Sequence, residues 1–383
     1  MQDAALLAGI STAHQADVLT RFSTLPMVTG VIERTASTAV VATTKGRATL
    51  HVVSPDQVGA GLVWHTGSRK HTEQLQQRAV RLGMTFIDGQ LRRQGTLLSA
   101  PQEDDLYHLL ELPTIPAELR EGDGEIDAAE RGALPVLVST EAIRGDLHMH
   151  TTWSDGRDTL EMMVYASKSI GYEYVAITDH SERAWSSRKL SAADVGRQRE
   201  EVEAVRRHLQ GIDVLHGVEV DIMKDGSLDF SDEVLEGFDI VLASLHDHGG
   251  QSGDELTARY LRAIRHPLVN IVTHPANRSP AVSPGYDIDF DRVFAAAAET
   301  GTALEIDGAP GHLDMDGSVA RRATAAGVTV TIDSDCHRAE GLSRQMRFGV
   351  GTARRGWVEP RHVLNTQSVD AVRAFVAAKR ARR

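Results

Sequence analysis

A single cysteine, Cys336, stands in a chain of 383 residues, so no disulfide can form within it and nothing points to an oxidising compartment. No apolar run approaches the roughly 20 residues of a membrane-spanning helix. The start lacks the basic and apolar segments of a secretory signal, and the expected location is the cytoplasm. There is no internal repeat and no low-complexity tract. Basic residues are outnumbered too. The 41 Lys and Arg against 53 Asp and Glu give a net charge of −12, an unpromising balance for meeting a phosphate backbone through surface charge. The length suffices for two domains with proper cores.

What the chain does have is histidine and carboxylate in a phased series. Asp146-Leu147-His148-Met149-His150 places two imidazoles two residues apart, on one face of a strand and able to share one ion. That pair alone is a weak signal. It is followed by Asp155, His180, Glu219, His246, His274, Asp335 and His337, and nearly every apolar run ends in one of them. The runs 174–177, 214–218, 240–243, 268–272, 303–306 and 328–332 read as buried strands. The segments 160–170, 193–209, 255–264, 290–298 and 318–326 have helical spacing. Strand, ligand, helix, strand is the layout of an α/β barrel whose site lies on the loops at the carboxyl ends of the strands.

From about residue 143 onward these residues resemble a PHP (polymerase and histidinol phosphatase) domain. The resemblance implies a distorted (β/α)7 barrel with a trinuclear metal site that cleaves phosphoesters. All nine ligand positions are filled: His148, His150, Asp155, His180, Glu219, His246, His274, Asp335 and His337. By the same resemblance, His148, His150, Glu219 and Asp335 hold a first ion. Glu219, bridging, holds a second with His246 and His274, and Asp155, His180 and His337 hold a third. Glu219, Asp335 and Arg278 are the expected catalytic residues. The implied cofactors are up to three divalent ions per chain, manganese first, with zinc or iron as alternatives.

Trp153-Ser154-Asp155-Gly156, His274-Pro275-Ala276-Asn277-Arg278 and the stretch from Met346 to Trp357 are more narrowly similar to the PHP domain of bacterial family X DNA polymerases. Upstream, Thr66-Gly67-Ser68-Arg69-Lys70-His71 and Ile115-Pro116-Ala117-Glu118-Leu119-Arg120-Glu121-Gly122 resemble the thumb of those enzymes. The expected organisation is a degenerate palm remnant over 1–54, a thumb-like region over 55–122, a connector over 123–142 and the PHP domain over 143–383. The class is α/β, with a smaller α+β remnant before the barrel. The palm of that family holds two ions on three carboxylates. Alignment puts Thr49 where the third belongs and the other two near Asp3-Ala4-Ala5, and the helical region that precedes the palm has no counterpart. Polymerase activity is therefore expected to be lost.

The implied function is a metal-dependent phosphoesterase acting on DNA ends, a 3′–5′ exonuclease that also removes 3′ phosphates. Bound cations would invert the local field despite the acidic total. The expected substrate contacts are Arg183, Trp185, Arg188, Lys189 and Arg278, with Trp185 stacking a base. Arg354 with Arg355, and the basic end 379–383, serve either as phosphate contacts or as ordinary solvated charge. The alternatives are a small-molecule phosphomonoesterase of the histidinol phosphatase type and a noncatalytic DNA-end binding module. DNA ends or another phosphoester are the expected partners, with no membrane and an open oligomeric state. Cys336 reads as a small, inert strand-end residue rather than a reactive thiol.

Overall fold

The computed structural model describes residues 2–382 except 185 and 281, and divides into two units, Met1–Leu134 and Pro135–Arg383. The first unit opens with β1 (Gln2–Gly9), α1 (Gln15–Ser23), β2 (Val28–Arg34), β3 (Thr38–Thr43) and β4 (Gly46–Val53). They form a sheet in the order β1-β4-β3-β2, with β1 and β4 parallel and the rest antiparallel. Alternation along β3 and β4 turns Ala39, Leu50 and Val52 to one face, where they pack on Leu19 of α1. Thr49 pairs with Ala5 across the β1–β4 ladder, so the two positions aligned with missing carboxylates stand side by side.

The chain continues through α2 (Val58–Thr66), α3 (Arg69–Arg81), the antiparallel strands β5 (Met84–Ile87), β6 (Gln90–Arg93) and β7 (Thr96–Leu97), α4 (Glu103–Leu109) and α5 (Glu125–Glu130). A buried polar cluster ties the helices together. His71 of α3, whose amide is capped by Ser68, bonds Glu125 of α5 through Nδ1 at 2.6 Å and the Tyr107 hydroxyl of α4 through Nε2 at 3.1 Å. Residues 123–134, expected as connector, thus contain a helix whose first side chain is buried in the first unit.

The second unit contains β8 (Gly145–Asp146), α6 (Leu160–Ser169), β9 (Tyr174–Ile177), α7 (Val195–His208), β10 (Asp213–Asp221), α8 (Asp232–Leu235), β11 (Ile240–Ser244), α9 (Gly253–Arg265), β12 (Ile271–Val272), α10 (Phe290–Thr300), β13 (Ala303–Asp307), α11 (Gly317–Ala325), β14 (Val330–Asp333), α12 (Leu342–Arg355) and α13 (Val369–Arg380). The seven strands run parallel in the order β14 to β8, and a Met149–Cys336 bridge joins the two edges. Because β8 is only two residues long, side chains complete the closure. Leu147 N–H donates to Asp333 Oδ1 at 2.8 Å, and Ser334 N–H to Asp146 Oδ1 at 3.1 Å. The Asn365 amide accepts from Ile332 N–H at 3.0 Å and donates to Gly145 O at 2.9 Å.

Both faces of the strands are buried, which accounts for their unbroken apolar character. Val175, Ile177, Val218 and Val241 pack among the surrounding helices, while Tyr174, Ala176, Leu215, Leu242 and Ile271 form a second core with Val372 and Val376 of α13. The basic end belongs to this packing. Lys379 is buried, with Nζ donating to Ile264 O at 2.6 Å and Thr302 Oγ1 at 2.7 Å, and burial pushes its amine down to about 8. The strand expected over 268–272 shortens to Ile271–Val272. No described helix is long and apolar enough to cross a membrane.

Candidate metal centre

The parallel strands deliver their ligands from one end of the barrel. His148 and His150 follow β8, His180 follows β9, Glu219 lies in β10, His246 follows β11, His274 follows β12, and Asp335 and His337 follow β14. Asp155 enters from the loop after His150, where the backbone passes so closely that a Cβ on Gly156 would lie 2.5 Å from the His150 carbonyl. Two of these residues have left-handed backbone, His274 at φ 26° and Asp335 at φ 46°. A non-glycine residue pays strain there, which persists only where the surroundings hold it.

Glu219 is the hub. Its Oε1 is 3.1 Å from His274 Nε2 and 3.7 Å from His246 Nε2. Its Oε2 faces His180 Nδ1 at 2.7 Å, His148 Nε2 at 3.6 Å and His150 Nε2 at 3.7 Å. Asp335 Oδ1 is 3.0 Å from His150 Nε2 and 3.6 Å from His148 Nε2. Asp155 Oδ1 is 3.2 Å from His337 Nε2 and 3.5 Å from His180 Nε2. Three groups of potential ligands result: His148, His150 and Asp335; His180, Glu219 and His246; His150, Asp155, His180 and His337. These groups take in eight of the nine side chains named from the sequence, with His150 and His180 each standing between two groups, and His274 joins them through its contact with Glu219.

The donor atoms fit cations. His150 Nδ1, Asp155 Oδ1, His180 Nδ1, Glu219 Oε2 and His274 Nδ1 are buried without a hydrogen-bond partner, a costly state that positive ions relieve. Oxygen and imidazole without thiolate suits manganese, zinc or iron. Cys336 is no ligand. Its Sγ lies 2.8 Å from Arg338 O and from Gln345 Oε1, and burial pushes the thiol up to about 12.

Protonation is divided among the imidazoles. Burial, with His180 and His337 nearby, drives His150 down to about 3, and burial drives His274 down to about 4, so both are neutral donors. In His246 and His337 burial is outweighed by carboxylates, Glu219 and Asp221 for the one and Asp335 and Asp155 for the other, and both rise to about 9. Burial likewise opposes charge on Glu219 and Asp335, but the histidines around them hold both carboxylates well below the usual range.

Sequence reasoning missed the residues that aim these ligands. Glu305 of β13 accepts His148 Nδ1–H at 2.7 Å and the His274 amide at 2.8 Å. Asp221 accepts His246 Nδ1–H at 2.5 Å. Asp179 accepts the Thr151 and Ser154 amides and hydroxyls and the Gln198 amide, fixing the turn that leads to Asp155. Such partners set the tautomer and orientation of a ligand. The available signal was an acidic residue inside an apolar strand, as in Ala303-Leu304-Glu305-Ile306.

The expected substrate contacts separate. Arg183 and Lys189 line a cavity of about 330 Å³ together with His246 and Asp221. Arg188 instead donates to Gly156 O at 2.9 Å, tied to the loop that carries Asp155. Arg278 lies 3.5 Å from Asp316 Oδ2, with its amide on Asp314 Oδ2 at 3.3 Å. Trp185 lies outside the described residues. Arg354 donates to Val138 O at 3.1 Å and so has a structural role.

A family model described as PHP domain matches residues 146–274, and one described as DNA polymerase beta thumb matches residues 61–121. The chain is 30% identical over 210 residues to a probable phosphatase of Thermoanaerobacter sp. (strain X514), across 52% of this chain and 81% of the relative. The chain belongs to the PHP family. It is also 34% identical over 372 residues to the DNA polymerase/3′-5′ exonuclease PolX of Bacillus subtilis (strain 168), covering 96% of this chain and 65% of the length of that relative. Among solved structures, a histidinol phosphate phosphatase from Lactococcus lactis superposes with a TM-score of 0.41 and 17% identity over 56% of this chain and 94% of that one. This PHP chain is a hydrolase of the phosphoesterase type, related both to PolX and to probable phosphatases.

Proposed function

We propose that this PHP protein is a divalent-cation-dependent 3′–5′ exonuclease on DNA ends that also removes 3′ phosphates, and that it no longer synthesises DNA. The observation that carries the reading is Glu219, a buried carboxylate with imidazoles against both oxygens and Oε2 without a hydrogen bond. Up to three ions, manganese first, fit the donor set, and when bound they supply charge for activating water and stabilising a phosphoryl group. His148, His150, Glu219 and Asp335 would hold the first, Glu219, His246 and His274 the second, and Asp155, His180 and His337 the third.

The chain's own residues do the rest. Glu305 and Asp221 keep His148 and His246 turned with Nε2 toward Glu219. Arg183 and Lys189, in the cavity beside His246, offer positive charge to a second phosphate, which an oligonucleotide has and a monoester lacks. Arg278 offers charge to the reacting phosphoryl group. The likeness to PolX over nearly the whole chain, thumb included, supports DNA as substrate. Ala5 beside Thr49 supports the loss of synthesis, and among the described residues every cluster of potential metal ligands lies in the second unit.

The second reading, a small-molecule phosphomonoesterase, is favoured by the probable phosphatases that align over most of their length. End-labelled single-stranded and recessed DNA, assayed with manganese beside a generic phosphomonoester, separates the two. Shortening of the labelled strand from its 3′ end is the expected result; hydrolysis of the monoester alone overturns the DNA reading.

A further inference from the structure

Among the described residues, one more group of potential ligands uses side chains outside the nine. Asp307, His312 and Asp335 each offer an atom within 4.8 Å of the other two. Asp307 closes β13 and is fully buried. Its Oδ1 accepts the Ala309 amide at 2.6 Å, and its Oδ2 has no partner. His312 is half-buried and stacked on His274, with ring centroids 5.0 Å apart and planes at 20°, and its Nδ1 is also buried and unpartnered. The loop between them has little slack. A Cβ on Gly308 would sit 2.1 Å from Gln345 O, and Leu313, directly after His312, takes φ 45°.

A buried carboxylate with one oxygen unpaired, placed near two others, is a poor arrangement without a positive partner. Among the described residues no guanidinium or ammonium pairs with Asp307, whose one hydrogen bond is from a backbone amide. One imidazole and two carboxylates form a donor set for a divalent ion, and three protein donors leave coordination positions open for water or substrate oxygen.

We propose that Asp307, His312 and Asp335 hold an additional divalent cation, beside the three of the nine-ligand centre and sharing Asp335 with the first of them. The proposal rests on the reading of Asp335 as a metal ligand. His312, half-exposed, puts this ion at the accessible margin of the centre. With only three protein donors, it is expected to fill at higher cation concentration than the nine-ligand centre.

Manganese bound per chain, measured by equilibrium dialysis and elemental analysis over a range of free manganese, tests this without any activity assay. The proteins compared are the wild type, Asp307→Asn, His312→Gln, His337→Ala and the double variant His312→Gln/His337→Ala. His312→Gln and His337→Ala are each expected to lose about one ion, and the double variant about two, because the ions removed are different ones. Asp307→Asn should match His312→Gln. If both His312→Gln and Asp307→Asn keep the wild-type count and affinity, or if the double variant loses no more than His337→Ala, the additional ion is overturned while the nine-ligand centre stands. A wild type that binds no manganese overturns both. His312 is half-exposed, so His312→Gln decides the matter even if Asp307→Asn fails to fold.

Discussion

His148 donates Nδ1–H to Glu305 Oε1 at 2.7 Å, and the other oxygen of that carboxylate accepts the His274 amide at 2.8 Å. One buried glutamate thus orients ligands from two strands. In Glu305 burial drives the carboxyl up to about 8, while in His148 burial is outweighed by Glu305, Glu219 and Asp335 and the imidazole rises well above its ordinary value. Both partners thus favour their protonated forms before metal binds, and the Nδ1 contact turns Nε2 toward Glu219 and Asp335, where a metal must displace its proton. Glu305→Gln keeps the volume but weakens that hold. Manganese affinity, by calorimetric titration, is expected to fall about 10- to 100-fold. An unchanged affinity would mean that packing alone orients His148.

Metal binding should expel protons. His246 and His337, both raised from 6.5 to about 9, are charged in the metal-free protein at pH 7.5. A ligand imidazole must be neutral, so loading at that pH should release at least two protons per chain, and a third from His148, which is raised as well, read from calorimetry in buffers of different ionisation enthalpy. Because the folded pKa values lie above the unfolded one, the two charged imidazoles stabilise the metal-free fold fully below pH 6.5, and this contribution is lost as pH rises through about 9. The metal-loaded protein should show the opposite trend, losing ions and activity toward acid pH. Proton release near zero at pH 7.5 would exclude these two rings from the metal shell.

Arg188 and Arg183 should behave differently although both follow His180 closely. Arg188 holds the Gly156 carbonyl, whereas Arg183 lines the cavity beside His246. Arg188→Ala is expected to lower kcat on every phosphoester and to weaken metal binding through the Asp155 loop. Arg183→Ala and Lys189→Ala should raise KM for oligonucleotides roughly tenfold, flatten the salt dependence, and leave a simple monoester unaffected. Equal effects of all three on both substrates would remove the cavity from substrate binding.

Primer extension tests the first unit. With Thr49 beside Ala5 in the sheet, template-directed synthesis with magnesium or manganese is expected to be undetectable, and Thr49→Asp alone should not restore it, since a two-ion palm needs further carboxylates. Extension that survives Asp335→Asn would show that the first unit retains a polymerase site.

Much of the barrel was legible because its strands are buried on both faces. The run 174–177 matches β9 residue for residue, and the helix read over 160–170 matches Leu160–Ser169 with one residue frayed. Most of the ligands were legible for a related reason: they are polar residues that interrupt or end an apolar run, while Asp155 was found through the resemblance alone. Residues that act through partners far along the chain were not. Glu305 meets His148 across 157 positions, and Arg188 meets Gly156 across 32, which no local pattern reports. The end of the chain misled through composition. Its cluster of basic residues suggests solvent, yet Val372 and Val376, one helical turn apart, seat α13 in the core, and Lys379 follows them inside. The β12 strand is shorter than read because Leu268 belongs to the turn after α9, where Val269 N–H bonds His266 O at 3.2 Å, although both residues are buried like a strand.

The most direct test of the central claim compares wild type with Glu219→Gln for manganese content and for shortening of a 3′-terminal DNA strand. The substitution keeps the size of the side chain and removes the charge that faces His180, His246 and His274. A wild type holding about two to three ions and degrading the strand, with a variant that loses more than one ion and at least about a hundredfold in rate, is the expected result. Active wild-type protein with no bound metal, or a variant of undiminished rate, would contradict it.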